Sequence, residues 1–477
     1  MTTLWHSLAM RGLIVGRIVE KRDGRAVSDI PRRAVTRTAK LATLPLGFAG
    51  RTALGFGKRT LGRPAEAVAL EVQRRTAEQL FAVLGELKGG AMKVGQLLSI
   101  FEAGLPEEIA GPFRASLTRL QESAPPMPAA TTHKVLAEGL GEDWRDHFAE
   151  FDDRPAAAAS IGQVHKAVWH DGRTVAVKVQ YPGAAQALMS DFNQISRLSR
   201  LFTPLFPGVE VKPVIADLKR RLEKELDYVD EARAQTAFHD AYDGDPDFAV
   251  PAVVAQAGNV LVTEWLDGTP LAKVIAAGDQ EARDRAGLLL FRFLLSGPAR
   301  CEMIHIDPHP GNFRLLDDGR LGVLDFGGAA RVPAELQWSI GRLLRIGTLG
   351  DPDEIVDALC DEGFLVPEAE VDPEEIAALV APHAAPFAVE RFRYSREWLR
   401  EQTARGLGLA SDLRPGALAR AFRLPPQYLA VSRALSGCGG VLCQLEAEGA
   451  FRAEAERWLP GFADDDPPLD DQTEATA

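Results

Sequence analysis

The chain has 477 residues, of which 46% are hydrophobic and 25% are charged, a composition that is ordinary for a protein with a substantial buried core. Its net charge of −13 argues against bulk binding to nucleic acid, and we expect no nucleic-acid partner. Its four cysteines lack paired zinc-ligand spacing, and it has no apolar run of about 20 residues and no signal-peptide core, so we expect a cytoplasmic protein without a zinc module or membrane span.

Residues 1–65 form a basic arm without a regular apolar pattern. They hold thirteen Lys and Arg against three acidic residues, a local balance of +10 that leaves −23 for the rest of the chain. Apolar residues such as Trp5, Phe48 and Phe56 are interspersed, and a basic arm of this kind is suited to lie on an anionic membrane surface. A solvated, weakly ordered leader explains the composition equally well, so peripheral membrane contact stays open.

The segment after the arm, residues 66–128, is predicted to be helical. Apolar residues recur at helical spacing from Val72 to Leu87, and the pair Gly89-Gly90 interrupts the pattern before a second helix. The proline-rich run from Pro125 to Pro128 is a stiff break, and it predicts a boundary after the helical extension.

Strand patterns appear next. One short helix is predicted over Thr131 to Leu140, and strands are predicted at Val164 to Trp169 and Thr174 to Gln180. The dipeptide Asp171-Gly172 between these strands is a strong hairpin signal. A further apolar strand is predicted from Asn259 to Trp265.

Helical patterns dominate after Pro270. The stretch from Leu424 to Glu446 is predicted to form a pair of amphipathic core helices around Gly437 to Gly440. The tail that begins at Asp464 is acidic and contains proline, and is expected to be disordered.

Two short motifs interrupt the helical region. The first contains His305, Asp307 and Asn312, and the second is Asp325-Phe326-Gly327 after an apolar run. This is the spacing of a kinase catalytic loop followed by its metal-binding turn. Phosphoryl transfer needs Mg²⁺, which prefers carboxylate and amide oxygens, and a carboxylate that orients the attacking group. We therefore predict Asn312 and Asp325 as metal ligands and Asp307 as the catalytic carboxylate.

Lys178 lies near the end of an apolar strand. An ammonium group is costly to bury without a partner, and in a kinase-like site it holds the α- and β-phosphates and pairs with a glutamate. We predict Glu231 as that partner, on a long charged helix that starts near Lys212. Taken alone, a solvent-facing lysine and an exposed acidic helix are the simpler interpretations, but the downstream motifs favour the paired site.

Two further segments are candidates for contact with ATP or ADP. An alanine-rich stretch stands where a kinase has its Gly-rich phosphate loop; alanine still permits close approach to phosphate but resists positive φ. The segment 263–268 has the position of a hinge whose backbone binds adenine, although a plain strand-to-helix turn explains it equally well. The predicted nucleotide contacts are Ala157, Ala158, Ala159, Ser160, Lys178, Glu264 and Leu266.

The peptide-docking segment of ordinary protein kinases is missing or very short. The sequence Val332-Pro333-Ala334-Glu335 follows Gly327 after only a few residues. The fold class we expect is α+β: a protein-kinase-like two-lobe fold with a small strand-rich N-lobe, a larger helical C-lobe and a helical N-terminal extension. The expected segments are 1–65 (basic arm), 66–128 (helical extension), 129–268 (N-lobe), 269–462 (C-lobe) and 463–477 (acidic tail).

This combination of motifs resembles the UbiB/AarF-type atypical kinases, also called the ADCK family. Ordinary protein kinases have neither the alanine-rich loop nor the Lys93-x-Gly95-Gln96 pattern. The residues that carry the resemblance are Leu87 to Gln96, the loop 156–160, Val177-Lys178, Glu225 to Tyr228, Glu231-Ala232, His305 to Asn312 and Asp325 to Gly327.

The resemblance implies roles that the spacing alone does not. Lys93 and Gln96 would be catalytic-site residues on a helical extension folded over the cleft, where Lys93 reaches Glu225 and Asp227 and Gln96 lies near the nucleotide. Gly162 stands where many members carry Ala, which is expected to loosen the loop.

The implied function is that of a Mg²⁺-ATP-dependent kinase or ATPase that supports isoprenoid quinone or membrane lipid biosynthesis. A lipid or quinone precursor is the expected partner, with the phosphoryl acceptor left open. A nucleotide-binding scaffold for a membrane-associated enzyme complex is the alternative. A phosphotransferase of the aminoglycoside type shares the Asp–Asn loop, but the pattern at Lys93 argues against it.

Overall fold

The computed structural model describes residues 127–159, 161–183, 186, 189, 223, 226–366, 371–406 and 421–463. The basic arm, the acidic tail beyond residue 463 and the helical extension up to residue 126 lie outside these ranges.

Helices and strands alternate in the first half of the described chain, and helices dominate the second. The helices are α1 (Ala129–Leu140), α2 (Tyr228–Tyr242), α3 (Leu271–Ala277), α4 (Gln280–Cys301), α5 (Ala334–Leu349), α6 (Pro352–Asp361), α7 (Pro373–Ala384), α8 (Arg396–Gly406), α9 (Leu429–Leu445) and α10 (Phe451–Trp458). The strands are β1 (Phe148–Phe151), β2 (Ala157–Ala159), β3 (Gly162–Trp169), β4 (Thr174–Gln180), β5 (Phe248–Ala249), β6 (Val253–Ala257), β7 (Val260–Glu264), β8 (Thr269–Pro270), β9 (Met303–His305), β10 (Phe313–Leu315), β11 (Leu321–Val323), β12 (Ala329–Arg331), β13 (Phe392–Arg393) and β14 (Glu448–Gly449).

The N-lobe is an antiparallel sheet with the strand order β1-β3-β4-β7-β6, and β2 pairs with β3. The predicted hairpin joins β3 to β4. Gly172 has φ +91°, a conformation that glycine adopts without strain. The Asp171 carboxylate accepts a hydrogen bond from the Arg173 backbone at 3.0 Å, which closes the turn. The strand and hairpin predictions for this region are confirmed.

The two faces of this sheet have different roles. Val175, Val177 and Val179 of β4 are fully buried and pack with Leu136 of α1. Because successive side chains of a strand point to opposite faces, Lys178 lies on the other face. That face carries a smaller cluster around Leu261 and Tyr228, and it is the face on which α2 supplies its buried side chains.

Helix α2 begins later than the sequence predicted, and residues 212–222, where the predicted helix starts, lie outside the described ranges. We expected a long charged helix running from near Lys212 through Glu231, but a helix begins at Tyr228 and Asp227 is its N-cap with extended backbone. The Asp227 carboxylate accepts hydrogen bonds from the backbone of Val229 at 2.9 Å and of Asp230 at 3.4 Å. An aspartate that satisfies the first free N–H groups of a helix starts a new helix at that point.

The C-lobe is built around α4. Most of its residues from Ala286 to Pro298 are buried, and they form one core with α9, α10 and the second sheet, whose strand order is β5-β11-β10-β8. Strand β9 pairs with β12 in an antiparallel ribbon. This ribbon matters for function because it positions both predicted motifs: the His305 loop follows β9, and Asp325 to Gly327 precede β12.

The predicted pair of helices near the C-terminus is one continuous helix. Helix α9 runs through Gly437 and Gly440, and both glycines are buried. An interior glycine costs a helix about 0.5–1 kcal/mol relative to alanine. Here the neighbouring Val441 and Leu442, both 0% exposed, bury enough apolar surface to offset that cost. No helix in the described part of the chain is long and apolar enough to cross a membrane.

Candidate active site

Lys178 lies in the centre of the N-lobe sheet and faces the cleft. It pairs with Val164 of β3 and Leu261 of β7 in the strand ladder, and its side chain is only 10% exposed. Its ammonium donates to the carboxylates of Glu231 and, at 3.0 Å, of Asp325. Burial alone would lower the pKa of Lys178, but the charges of Asp325 and Glu231 outweigh it and raise that pKa above its ordinary value.

Glu231 reaches Lys178 from the first turn of α2. Its side chain is 3% exposed, so the carboxylate depends on the ammonium for its charge compensation. The start of α2 is held against the sheet, because Gln180 donates its side-chain amide to the Leu226 carbonyl at 2.8 Å. Sequence reasoning missed Gln180, which lies on the strand two residues after Lys178 and has no motif of its own.

Tyr228 is a second residue whose role was missed. The resemblance included Tyr228, but gave its side chain no role. Its ring is buried, and the Lys178 ammonium lies 6.0 Å from the ring centre. This aromatic face adds to the negative environment that keeps Lys178 charged.

Asp325 lies at the junction between the lobes. One carboxylate oxygen accepts from Lys178, and the other accepts from the Gly327 backbone at 3.1 Å. Its side chain remains 34% exposed, so it is accessible from the cleft. His305 donates from Nε2 to the Asp325 carbonyl at 2.7 Å, since a carbonyl oxygen only accepts, and this bond joins the two motifs.

Phe326 holds the Asp325-Phe326-Gly327 turn in place by packing into the core. It is 1% exposed, and its ring centre lies 5.0 Å from that of Phe238 on α2. Because Phe238 and Glu231 belong to the same helix, the packing of Phe326 links the position of Asp325 to that of the Glu231 carboxylate.

Asp307 and Asn312 are held in one loop. The Asn312 side-chain amide donates to the Asp307 carbonyl at 3.0 Å, and the Leu324 backbone donates to the Asn312 carbonyl at 2.9 Å. His309 shapes the loop by accepting from the Gly311 backbone at 3.1 Å. Gly328 also contributes, because a Cβ atom there would lie 2.9 Å from that of Asp307. The loop that contains Asp307 and Asn312 is therefore in direct contact with the segment around Asp325, as the spacing of the two motifs suggested.

The donor set fits a magnesium ion. The Asn312 amide nitrogen is used for the Asp307 carbonyl, which leaves the amide oxygen as the group that can act as a ligand. Asp325 provides an accessible carboxylate. Within the described ranges no cluster of three or more His, Cys, Asp or Glu has metal-binding geometry. Mg²⁺ commonly takes only one or two protein ligands and completes its shell with water and phosphate oxygens.

The alanine-rich segment lies beside Lys178. Ala157 pairs with Val164, and Val164 pairs with Lys178, so these three residues form one row across adjacent strands. Two strand spacings amount to roughly 10 Å. Ala158 lies on the same short strand, and Ala159 pairs with Gly162 at its end. Ser160, the next residue in the sequence, lies outside the described residues.

Gly162 does not loosen this loop, contrary to the expectation from the sequence. It pairs with Gln180 in the ladder, and a Cβ atom at this position would lie 2.2 Å from the Val179 carbonyl oxygen. The two strands approach each other closely here, and only glycine fits without a shift of the backbone.

The two predicted hinge residues, Glu264 and Leu266, lie at and just after the end of β7, with Trp265 between them. The Glu264 carboxylate accepts from the Ala252 backbone at 3.2 Å and lies 3.4 Å from Arg173, so its side chain serves the N-lobe. Leu266 lies in the coil after the strand. Any contact of Glu264 with adenine would therefore involve its backbone.

Four residues predicted for this site lie outside the described ranges: Lys93, Gln96, Ser160 and Glu225. The short connection after the second motif lies inside them. Helix α5 begins at Ala334, and only six residues, Gly328 to Pro333, separate it from Gly327. There is no room in this connection for the extended peptide-docking segment of an ordinary protein kinase.

Comparison with known proteins agrees with this geometry. The family model described as ABC1 atypical kinase-like domain matches residues 119–359. The atypical kinase coq-8, mitochondrial, of Caenorhabditis elegans is 33% identical over 357 residues, which cover 71% of this chain and 46% of that protein. The atypical kinase COQ8, mitochondrial, of Saccharomyces cerevisiae is 31% identical over 353 residues, 72% of this chain and 69% of that protein.

A solved structure is also similar. The structure of Rv3197 from Mycobacterium tuberculosis in complex with erythromycin matches with a TM-score of 0.64 and 41% identity, and the match covers 84% of this chain and all of that one. By contrast, the match spans about half the length of the C. elegans relative. The kinase-like fold, with its strand-rich N-lobe and helical C-lobe, is confirmed, and the chain belongs to the ABC1, or UbiB/AarF-type, family of atypical kinases.

Proposed function

We propose that this protein is a Mg²⁺-dependent atypical kinase or ATPase that binds ATP or ADP and supports isoprenoid quinone or membrane lipid biosynthesis. One observation carries the proposal: the Lys178 ammonium lies between the carboxylates of Glu231 and Asp325. A buried ammonium shared between a helix of the N-lobe and the loop that follows β11 is the arrangement that a phosphate-binding lysine requires.

In this proposal Lys178 binds the α- and β-phosphates and Glu231 orients it. The buried Glu231 carboxylate keeps the ammonium charged and fixes its direction. Asp325 would exchange part of its contact with Lys178 for the metal. The partial exposure of its side chain supports that role, because a ligand that binds an incoming ion must be reachable.

Asn312 and Asp325 would hold the magnesium ion. When bound, Mg²⁺ neutralises charge on the phosphate oxygens. Asp307 is 7% exposed, and we propose that it orients the attacking hydroxyl or water and accepts its proton. The bond from Asn312 to the Asp307 carbonyl keeps the metal ligand and the catalytic carboxylate at a fixed separation, which favours catalysis by positioning.

The rest of the nucleotide would lie along the N-lobe sheet. The segment Ala157 to Ala159, together with Ser160, would cover the phosphates. The backbone of Glu264 and Leu266 would bind adenine. Small alanine side chains permit this close approach, but the strand pairing of β2 with β3 makes the cover stiffer than a glycine loop.

The acceptor we favour is a small molecule, a lipid or water, rather than a protein substrate. The short connection from Gly327 to α5 supports this choice, because a peptide acceptor needs a docking segment. Relatives named COQ8 support a role in quinone metabolism. Lys93 and Gln96 are proposed to guard the cleft, and residues 1–65 to provide peripheral contact with an anionic membrane.

Substitution of Asp325 tests the proposal. We expect the protein to hydrolyse ATP slowly in the presence of Mg²⁺, and Asp325→Asn to lower that turnover by at least about 100-fold, since one metal contact is lost at the reacting phosphate. Release of phosphate measures turnover, and thermal unfolding checks the fold. Asp318→Asn, which removes an exposed carboxylate whose ion-pair partner among the described residues is Arg320, is the matched control and should retain full turnover.

The opposite results have distinct meanings. Turnover by Asp325→Asn equal to that of the unchanged protein would remove Asp325 from its metal role. Nucleotide binding without any turnover, even with detergent-solubilised quinone precursors, would favour the scaffold function over the enzyme.

A further inference from the structure

A large cavity lies in the helical lobe, apart from the candidate active site. Its volume is about 700 Å³, and it is lined by side chains from α4 to α9, among them Leu294, Leu343, Leu359, Val380, Trp398 and Leu435. Neither Lys178 nor any of the other residues of the active site lines it. Protein interiors are close-packed and seldom leave voids larger than a water molecule. The volume falls within the range of about 300–1,000 Å³ that is typical of pockets for small organic ligands.

The charged groups of this cavity are distributed unevenly. No Asp, Glu or Lys of the described residues lines it, and Arg423 is the charged residue that does. Arg423 is exposed, and the structure shows no carboxylate partner for it among the described residues. The adjacent Leu424 also lines the cavity and is 46% exposed. The positive charge of Arg423 and the apolar side chain of Leu424 therefore lie together at the opening of the cavity, which we call its mouth.

One polar group inside the lining is unsatisfied. The Gln402 side-chain oxygen is buried and has no hydrogen-bond partner in the described structure. A buried carbonyl oxygen without a donor is unfavourable. A molecule that brings a hydroxyl group into the cavity would satisfy it, whereas a purely aliphatic molecule would not.

We propose that this cavity binds a single-chain anionic amphiphile with a hydroxyl group in its head, the chemistry of a lysophospholipid. The aliphatic chain occupies the apolar interior and leaves water. The anionic head remains at the mouth, where the Arg423 guanidinium binds phosphate oxygens, and a head-group hydroxyl donates to Gln402.

Gly439 offers a way to fill the cavity without disturbing the fold. It lies on α9 and lines the cavity, and a Cβ atom at this position meets nothing within 4 Å. Replacement of a helical glycine also removes an unfavourable residue from the helix. Gly439→Phe should therefore occupy the lipid volume in a folded protein, and Gly439→Ala is the matched control that adds only one methyl group.

The test measures binding of 1-oleoyl lysophosphatidate to the full chain by calorimetric titration below the micelle concentration. Oleate, which lacks the hydroxyl, and monoolein, which lacks the charge, are the comparison ligands. We expect lysophosphatidate to bind at least tenfold more tightly than either. Gly439→Phe should lose this binding while it retains the unfolding temperature and the nucleotide binding of the unchanged protein, and Gly439→Ala should bind normally.

A separate variant tests the contact between the anionic head group and Arg423. Arg423→Gln should weaken lysophosphatidate at least tenfold and leave monoolein unchanged, while Arg391→Gln, at an exposed arginine that does not line the cavity, should change neither. No binding of lysophosphatidate, equal binding by Gly439→Phe, or equal loss of monoolein in Arg423→Gln would overturn the proposal. Because nucleotide binding is measured in the same proteins, failure here is distinguishable from failure of the kinase function.

Discussion

At the scale of single residues, the pair Lys178 and Glu231 shows how a functional charge is kept inside a protein. Each group is nearly inaccessible to water, and each is acceptable there because of the other. We expect Lys178→Met to destabilise the protein by about 3–5 kcal/mol, because it leaves the Glu231 carboxylate buried without its partner. Urea unfolding followed by circular dichroism measures the loss.

The double variant distinguishes pairing from general damage. Lys178→Met combined with Glu231→Gln removes both charges and should recover most of the stability, although nucleotide binding stays lost. If the stability losses of the two single substitutions simply add in the double variant, the two charges do not stabilise one another and the pairing argument is wrong.

A buried histidine makes a second prediction at this scale. His165 is fully buried; its Nδ1 donates to the Asp152 carbonyl and its Nε2 accepts from the Gln163 amide, both at 2.8 Å. Burial lowers the pKa of His165, and it outweighs the opposing effects of the Asp152 bond and of Asp153. Protonation would place two donors, His165 and Gln163, against each other.

The sign of the pH effect follows from this lowered pKa. Below the ordinary histidine pKa of about 6.5, the unfolded chain binds a proton that folded His165 does not, so stability is lost as the pH falls through that value. We expect His165→Gln to remove part of the acid destabilisation that develops as the pH falls below about 6.5, where His165 contributes. His170→Gln, at an exposed histidine, is the control. An unchanged pH profile in His165→Gln would show that His165 titrates normally.

At the scale of elements, helix α2 separates two interpretations of Asp227. The family resemblance implies a charge partner for Lys93, whereas the structure shows an N-cap. Asp227→Ala removes the cap and should cost about 0.5–2 kcal/mol of stability. Asp227→Asn keeps the capping oxygen and should be nearly neutral in thermal unfolding.

Nucleotide affinity completes this comparison. If capping is the main role, Asp227→Asn binds ATP normally and Asp227→Ala binds it more weakly, because Glu231 lies on the first turns of the same helix. Equal weakening in both variants would instead assign the residue to charge pairing.

The elements also show which features a sequence reveals. The hairpin at Asp171-Gly172 and the motifs around Asp307 and Asp325 are local patterns, and each follows from the chemistry of a few adjacent residues. The start of α2 was mispredicted because an acidic residue looks the same in a helix and at its cap. Helix α9 was mispredicted because its glycines indicated a break between two helices. The packing that keeps the helix continuous comes from elements that are distant in the sequence.

The same reasoning applies to the candidate site. Lys178 and Asp325 are far apart in sequence, and only their order along the chain suggested that they meet. The support from Gln180 and the close approach at Gly162 were not predictable, because both depend on the distance between strands β3 and β4. The cavity lined by Gly439 was likewise hidden, since it is formed by residues of many helices.

At the scale of the whole molecule, charge is divided along the chain. Residues 1–65 carry +10 and the remainder −23, so we expect the arm to be attracted to anionic lipid, by about 1 kcal/mol for each basic residue near the surface. We expect deletion of residues 1–60 to reduce binding to vesicles that contain phosphatidylserine by roughly tenfold or more. Vesicle sedimentation measures this binding.

Replacing basic residues of the arm with neutral ones shows whether its contact with the membrane is electrostatic or apolar. The variant for this test keeps the full length of the chain and replaces five basic residues with Gln: Arg11, Arg17, Lys21, Arg22 and Arg25. If the contact is electrostatic, this variant loses binding as the deletion does, and high salt weakens the unchanged protein, because exposed charges are screened within about 10 Å at 0.1 M salt. If Trp5, Phe48 and Phe56 carry the contact instead, the neutralised protein binds normally and salt has little effect. Equal binding by the deleted and complete chains would exclude membrane contact through this arm, and any lipid delivered to the cleft would then have to arrive by another surface.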